Sequence, residues 1–296
     1  MTLHVFGNAC RDITFRVTAL PAPGETLNAV GTVIGLGGKG LNQAIASSRT
    51  GVAVRFVAAI GDDAVADSIR AALRAEDIPD EGLIAGPGET DLSAIIVASN
   101  GENMIVTNAA QAASIAVADI RGRMSFSSGD GLLLQGNLSA GTSIFAARRA
   151  RAAGATVVFN PAPWHDWCRT MAQDIDVLIL NAVEAERWFG ASDPGRSIEQ
   201  LGAPVAIVTR GPKGCLVKTC SEPVQEYPAP QVEAQDATGA GDTFCGVFAA
   251  EYMRTGEVAA AVRLALAAAS DSVTRAGALA SIPSREALAH MRLALG

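Results

Sequence analysis

Short apolar runs, bounded by turn-forming residues and separated by helical patterns, constrain the fold of this 296-residue chain most. Runs of this length without polar alternation are typical of strands buried on both faces. Strands that alternate with helices indicate right-handed crossovers and a parallel sheet. We therefore predict a three-layer α/β/α fold with a mainly parallel central sheet. The predicted strands are residues 3–7, 54–60, 131–134, 156–159, 177–180 and 205–209, and the predicted helices are 64–75, 142–153, 183–189, 242–254, 257–275 and 284–295.

Two segments, 13–34 and 91–108, interrupt this alternation. In the second, the turn Ser99-Asn-Gly-Glu102 separates two apolar runs, which is a hairpin signal. We predict that both segments form antiparallel strands of a small sheet that covers a site on the main body. The chain 1–296 is then one domain with two inserted lid segments. Exposed edges of such a sheet favour a homodimer formed through the lid.

Composition excludes several functional classes. Hydrophobic residues make up 49% and charged residues 18%, which excludes a disordered chain. The net charge is -7 and basic residues are dispersed, so no nucleic-acid partner is expected. The five cysteines have no CxxC spacing, so neither a zinc site nor a disulfide framework is predicted. No secretion signal or membrane-spanning run is visible, which predicts a soluble cytoplasmic protein with no membrane partner.

The run Asp236-Ala-Thr-Gly-Ala-Gly-Asp-Thr-Phe244 places small residues directly before a helical pattern. Backbone N–H groups of Gly239, Ala240 and Gly241 would then point together at a helix N-terminus and form an anion hole. Asp242 would lie beside the transferred group, where a carboxylate can accept the proton of an attacking hydroxyl. The alternative is a glycine-rich turn in which Asp242 only caps the helix.

This run resembles the second signature of the ribokinase, or PfkB, family of carbohydrate kinases, and further matches extend over nearly the whole chain. The resemblance implies that Asp242 is the catalytic base and that the preceding amides form the anion hole. It also implies a monovalent-cation site, expected to take K⁺, at Asp236. Thr238 and the loop 273–281 would complete that site.

The run Gly35-Leu-Gly-Gly-Lys-Gly40 has two interpretations. It fits G-x-G-x-x-G, and an acidic pair follows about 20 residues later, as in a dinucleotide site. An extended segment precedes it, however, where that site needs the first strand of a βαβ unit. Together with the following residues, the run resembles the first signature of the ribokinase family. This resemblance implies that Gly38, Lys39 and Asn42 bind sugar hydroxyls.

The spacing of Asn181 and Glu184, at the end of a predicted strand, resembles the Asn-x-x-Glu motif of the family. The resemblance implies that Asn181 approaches the phosphates and that Glu184 positions Mg²⁺ through water, which suits an ion that uses few protein carboxylates. Plain helix capping is the alternative. Thr209, Gly211 and Gly214 lie in a turn between two predicted strands and are assigned by resemblance to ATP. A plain hairpin turn would look the same.

Two positions that the resemblance implies contact the sugar directly, Cys10 and Asn137, depart from the ribokinase pattern. Asp12 is kept and would bind sugar hydroxyls, but Cys10 stands where ribokinases commonly have Asn, and Asn137 stands where they have Glu. Hydroxyl-binding sites discriminate strongly when one partner is missing. The acceptor is therefore less constrained by the resemblance than the reaction is.

We predict a kinase that transfers the γ-phosphoryl group of MgATP to a primary hydroxyl of a small sugar, with the pentose D-ribose as the leading acceptor. Another sugar, a polyol or a nucleoside remains an alternative acceptor. An NAD(P)-dependent oxidoreductase using the first glycine-rich loop and a non-catalytic sugar sensor are the alternatives from other classes.

Overall fold

A nine-stranded sheet and a separate four-stranded sheet organise the protein. The computed structural model describes residues 1–190, 198 and 203–296. The strands are β1 (Thr2–Phe6), β2 (Cys10–Val17), β3 (Gly31–Gly37), β4 (Ala53–Ile60), β5 (Leu83–Ala85), β6 (Asp91–Ala98), β7 (Asn103–Asn108), β8 (Gly131–Gln135), β9 (Thr156–Asn160), β10 (Val177–Asn181), β11 (Val205–Thr209), β12 (Cys215–Thr219) and β13 (Gln225–Tyr227).

The helices described are α1 (Lys39–Arg49), α2 (Ala64–Ala75), α3 (Ala110–Ser114), α4 (Val117–Arg121), α5 (Ala140–Ala152), α6 (Ala182–Phe189), α7 (Ala240–Thr255), α8 (Val258–Ser272) and α9 (Arg285–Ala294). The predicted helix 64–75 coincides with α2, and the other predicted helices differ from the observed ones by a few residues at their ends. Within the described ranges, no helix combines the length and apolar character needed to span a bilayer.

The large sheet has the order β13-β12-β11-β10-β9-β8-β1-β4-β5. Strand β12 pairs antiparallel with both β11 and β13, and the other described pairs of adjacent strands are parallel. Alternate residues of one strand belong to two different core clusters, as Phe56 and Val57 of β4 do. One cluster contains residues of α1, α7 and α8, and the other contains residues of α5 and α6. Helices therefore cover both faces, and the predicted three-layer α/β/α fold is confirmed.

The small sheet has the order β3-β2-β6-β7 and contains residues of both segments that interrupt the alternation. The pairs β2/β3 and β6/β7 are antiparallel. The antiparallel pairing predicted within each segment is therefore confirmed, whereas β2 and β6 join the two segments in parallel, from the pair Cys10↔Asp91 to Val17↔Ala98. A turn signal specifies pairing within one hairpin and carries no information on how two distant segments join.

Candidate active site

A cavity of about 740 Å³ opens between the small sheet and the carboxyl ends of central strands. We call it the acceptor cavity. Five of the residues predicted to bind the acceptor line it: Asp12, Gly38, Lys39, Asn42 and Asn137. They come from β2, from the start of α1 and from the segment after β8. Residues distant in sequence thus meet where ligands of α/β sheets bind.

The glycine-rich run before α1 does not have the setting of a dinucleotide site. Strand β3, which leads into α1, pairs antiparallel with β2 in the small sheet. The strand of a dinucleotide fingerprint belongs to a parallel βαβ unit. The oxidoreductase alternative depended on this run as a dinucleotide site, and the observed fold contradicts it.

Asp242 lies in the first turn of α7, lines the acceptor cavity and is 7% exposed. Its Oδ2 accepts a hydrogen bond from Asn42 Nδ2 at 3.1 Å, and its Oδ1 accepts one from Gln43 Nε2 at 2.9 Å. Lys39 Nζ is 3.9 Å from Oδ1, and the charge of Asp242 raises the pKa of Lys39. The carboxylate is thus held in one orientation beside a fixed positive charge.

The helix α7 begins after Gly239, which has φ 79°. A side chain there would be strained and would also meet Ala278 Cα at 2.8 Å, so glycine is required at this turn. The amides of Gly241 and Asp242 lie in the first turn, where no intrahelical carbonyl is available to them. The amide of Ala240 donates to Ala237 O at 3.3 Å. The predicted anion hole therefore depends most on the Gly241 end of the run.

Asp12 occupies the lid side of the acceptor cavity. Burial raises the pKa of its carboxyl, and the charge of Asp242 adds to this, whereas hydrogen bonds from Cys10 and Ser93 oppose it. Cys10 Sγ donates to Asp12 Oδ1 at 3.2 Å and lies 3.5 Å from Ser93 Oγ. Cys10 is 1% exposed and does not line the cavity. Its effect on an acceptor would therefore pass through Asp12, which corrects the expectation of direct contact.

The lid contributes polar and apolar groups that the motifs did not identify. Ser93 and Thr107 lie opposite each other on β6 and β7, with their hydroxyl oxygens 2.9 Å apart, and both line the acceptor cavity. Ile95 and Ile105, the next inward pair, also line it. Strand alternation contained this information, because residues two apart share a face. The sequence did not specify the register between β6 and β7, which is needed to place these residues opposite each other.

A second cavity, of about 260 Å³, lies on the other side of the start of α7. Three residues predicted to bind ATP line it, namely Thr209, Gly211 and Gly214, and so do Ala240 and Gly241 of α7. Its remaining wall is mostly apolar and includes Val232, Phe244 and Leu266. We call it the nucleotide cavity. Because Gly239 and Asp242 line the acceptor cavity, the first turn of α7 separates the two cavities.

Asn181 and Glu184 line neither described cavity and cap α6 reciprocally. Glu184 N donates to Asn181 Oδ1 at 2.8 Å, and both oxygens of Glu184 accept hydrogen bonds from Asn181. Burial raises the pKa of Glu184, and the charges of Lys39 and Asp242 also act on it. The capping alternative is therefore realised, and the carboxylate still lies within electrostatic reach of the base.

The donor sets suit the two expected cations differently. No group of three or more His, Cys, Asp or Glu residues that could hold a metal occurs in the described part of the chain. A single carboxylate such as Glu184 still fits Mg²⁺, which keeps several waters and binds phosphates. Asp236 accepts from Thr238 N and Gly277 N, both at 2.9 Å, and these bonds hold its pKa low although burial acts to raise it. An ionised carboxylate beside the loop 273–281 fits a monovalent cation.

Comparison with known proteins identifies the family. The model of the pfkB family carbohydrate kinases matches residues 2–285. The ribokinase of Haemophilus influenzae is 32% identical and the deoxyribokinase of Salmonella typhi is 31% identical, with at least 96% of each chain covered. The structure of Arabidopsis thaliana ribokinase complexed with ribose and ATP has a TM-score of 0.83 at 26% identity and covers 98% of both chains. Since these matches span nearly the whole sequence, as the motifs predicted, the chain belongs to the pfkB family of carbohydrate kinases.

Proposed function

We propose that this enzyme transfers the γ-phosphoryl group of MgATP to the primary hydroxyl of a pentose, with D-ribose as the first acceptor to test. One observation carries the proposal: the first turn of α7 separates two cavities, with Asp242 in one and Gly241 in the other. A donor phosphate and an acceptor hydroxyl held on either side would meet at backbone amides and a carboxylate. Phosphoryl transfer needs this combination of positioning and charge stabilisation.

Asp242 accepts the proton of the attacking hydroxyl in this mechanism, while Lys39 and the Gly241 amide stabilise charge on the transferred group. Asp12, Asn42 and Asn137, which line the acceptor cavity, bind the other hydroxyls. The side-chain oxygens of Asn42 and Asn137 have no hydrogen-bond partner among the described residues. Mg²⁺, when bound, neutralises phosphate charge, and Glu184 would hold it through water. Asp236, Thr238 and the loop 273–281 would hold K⁺ next to the anion hole.

The named relatives support a pentose acceptor. One is a ribokinase, one is a deoxyribokinase, and the Arabidopsis enzyme is complexed with ribose and ATP. The panel that tests the proposal should therefore compare ribose with 2-deoxyribose, other pentoses, hexoses and polyols. ADP formation is measured for each acceptor, with and without K⁺. Failure of every sugar and polyol to stimulate ADP formation would reject the proposal.

Asp242→Asn tests the assigned base. We expect turnover to fall by about 10²-fold or more while the KM for the sugar stays within a few-fold, because the lost group acts on the transition state. Steady-state kinetics with the best acceptor of the panel measures both constants. Near-normal turnover of this variant would show that Asp242 is not the base.

A nucleoside is the second candidate acceptor, and an aromatic wall favours it. His165 and Trp167 line the acceptor cavity with their rings stacked at 10° and 6.1 Å between centroids. A planar base attached to the ribose would find a stacking surface there. Trp167→Ala should then lower kcat/KM for nucleosides more than for ribose. Trp164→Ala is the control, because Trp164 packs against Trp188 and does not line the cavity.

A further inference from the structure

A buried amide contacts the carboxylate of Asp242 without lining the acceptor cavity. Gln43 of α1 has no exposed surface, and its Nε2 donates to Asp242 Oδ1 at 2.9 Å. The same nitrogen donates to Asn160 Oδ1 at 3.4 Å, and Gln43 Oε1 accepts from Gln135 Nε2 at 2.8 Å. We infer that Gln43 is a positioning residue that fixes the orientation of Asp242 for proton transfer. The inference rests on the role of Asp242 in the proposed function.

Charge determines the direction of every hydrogen bond in this network. An ionised carboxylate only accepts, so Gln43 must present its NH₂ group to Asp242. Its carbonyl oxygen then faces Gln135, which must present its own NH₂ group. Asn160 Nδ2 donates to Ile179 O at 3.0 Å, which leaves Asn160 Oδ1 free for the second hydrogen of Gln43. The network thus connects the carboxylate rigidly to the ends of β8 and β9 and to β10.

Close packing of α1 against α7 determines the distance between Gln43 and Asp242. A Cβ atom on Gly246 would lie 2.5 Å from Gln43 O and 2.8 Å from Ala46 Cβ, so only glycine allows this contact. Ser47 Oγ donates to Gly246 O at 2.9 Å across the same contact. Asp242 lies one helical turn before Gly246, and Gln43 lies one turn before Ser47. The helix contact therefore places the amide next to the carboxylate.

The two oxygens of Asp242 are held by neighbouring residues with different surroundings. Asn42, on Oδ2, lines the acceptor cavity and can also contact an acceptor. Gln43, on Oδ1, can act only through Asp242. Without it the carboxylate could rotate, and misplacement of a reacting group by about 1 Å costs about 10²-fold in rate. Acceptor binding by Asp12 and Asn137 would be unchanged, so the loss should appear in kcat and not in KM.

Gln43→Met tests this role, because it keeps the side-chain volume and removes the donor. We expect kcat to fall by about 10- to 10²-fold, with KM for sugar and ATP within about three-fold. Gln135→Met removes the amide behind Gln43, leaves Asp242 itself untouched and should lower kcat by a smaller factor. It also provides the same readout if Gln43→Met does not fold. Ser47→Ala is the matched control: it loses a buried hydrogen bond of the same helix contact and should lower Tm while keeping kcat.

The second arm combines Gln43→Met with Asp242→Asn. If Gln43 acts by positioning the carboxylate, its substitution should leave the residual kcat of Asp242→Asn unchanged within about two-fold. An equal fold loss in both backgrounds, a raised KM at unchanged kcat, or normal kcat in both Gln43→Met and Gln135→Met would overturn the inference. Near-normal turnover of Asp242→Asn alone would instead contradict the proposed base, so the two failures can be told apart.

Discussion

Asp12 illustrates how a binding residue reduces stability in the absence of its ligand. Its pKa in the folded protein is raised, first by burial and then by Asp242. The folded state therefore binds this proton more tightly than the unfolded state does, and ionising Asp12 at neutral pH costs folding free energy. The cost is present above the raised pKa and disappears as the pH falls to the ordinary value of 3.8.

Asp12→Asn should consequently raise Tm at pH 7, and the gain should shrink as the pH is lowered toward 4. The same variant should raise the sugar KM by about 10-fold or more, since a hydrogen bond to a charged group is lost. Thermal unfolding from pH 7 to 4.5, with Asp62→Asn as the exposed control, measures the first effect. A Tm below that of the wild type at pH 7 would contradict the expectation.

The role of a single residue could be predicted from the sequence where its neighbours along the chain reveal that role. Asp242 follows three small residues at a helix start, and five predicted acceptor ligands line one cavity. Gln43 stands inside a recognised motif, yet its partner is 199 residues away and only the packing at Gly246 makes them neighbours. Ser93 and Thr107 needed the strand register. The local sequence pattern alone did not specify these contacts, because they depend on how distant segments pack together.

Among the elements, the C-terminal helices are held to α1 by a buried carboxylate. Glu251 of α7 accepts from Arg254 Nε and from Arg292 Nε of α9, both at 3.1 Å. Arg292 also donates to Thr50 O, just after α1, at 3.0 Å. Burial acts to raise the pKa of Glu251, but the two arginines outweigh it and lower the pKa. The ionised carboxylate and its two arginines therefore stabilise the fold at pH values above 4.5, the ordinary pKa of a glutamate. This contribution is lost as the pH falls through the lower pKa that Glu251 has in the folded protein.

Glu251→Gln should destabilise the protein by about 2 to 3 kcal/mol, less than for a fully buried pair because the arginines are partly exposed. Urea unfolding at pH 7 measures the change, and repetition below pH 4.5 should give a smaller difference. Glu81→Gln, at an exposed position, should stay within about 0.5 kcal/mol of the wild type. A loss for Glu251→Gln that does not depend on pH would mean that lost packing, rather than charge, is responsible.

The local sequence pattern predicted which segments form helices and which form strands, but it did not predict how distant strands pair. Strands β1, β4 and β8 to β11 were predicted from apolar runs. The runs are apolar throughout because helices cover both faces of these strands. The parallel pairing of β2 with β6 joins segments about 80 residues apart. It positions Asp12 next to Ser93, and no turn residue specifies it.

On the scale of the whole molecule, the small sheet has one face toward the acceptor cavity and one toward solvent. Ile34 is 65% exposed and Val106 is 68% exposed, and Met104 and Phe15 are also exposed. Val106 and Met104 alternate with the inward-facing Ile105 and Thr107 along β7. Contiguous apolar surface on a sheet is typical of protein interfaces. We therefore retain the proposal of a homodimer formed through the lid, with the outer faces of two small sheets packed together.

Such a dimer would also support the lid over the acceptor cavity, so assembly and acceptor affinity should change together. Val106→Glu should shift the mass measured by light scattering from dimer to monomer, because a charge would be buried in the interface. The sugar KM should rise at the same protein concentration, and kcat should change less. Leu293→Glu is the matched control, since Leu293 is 80% exposed on α9, away from the lid. If the wild-type protein is monomeric at micromolar concentration, or if Val106→Glu keeps the dimer mass, then the outer face of the lid is not the interface.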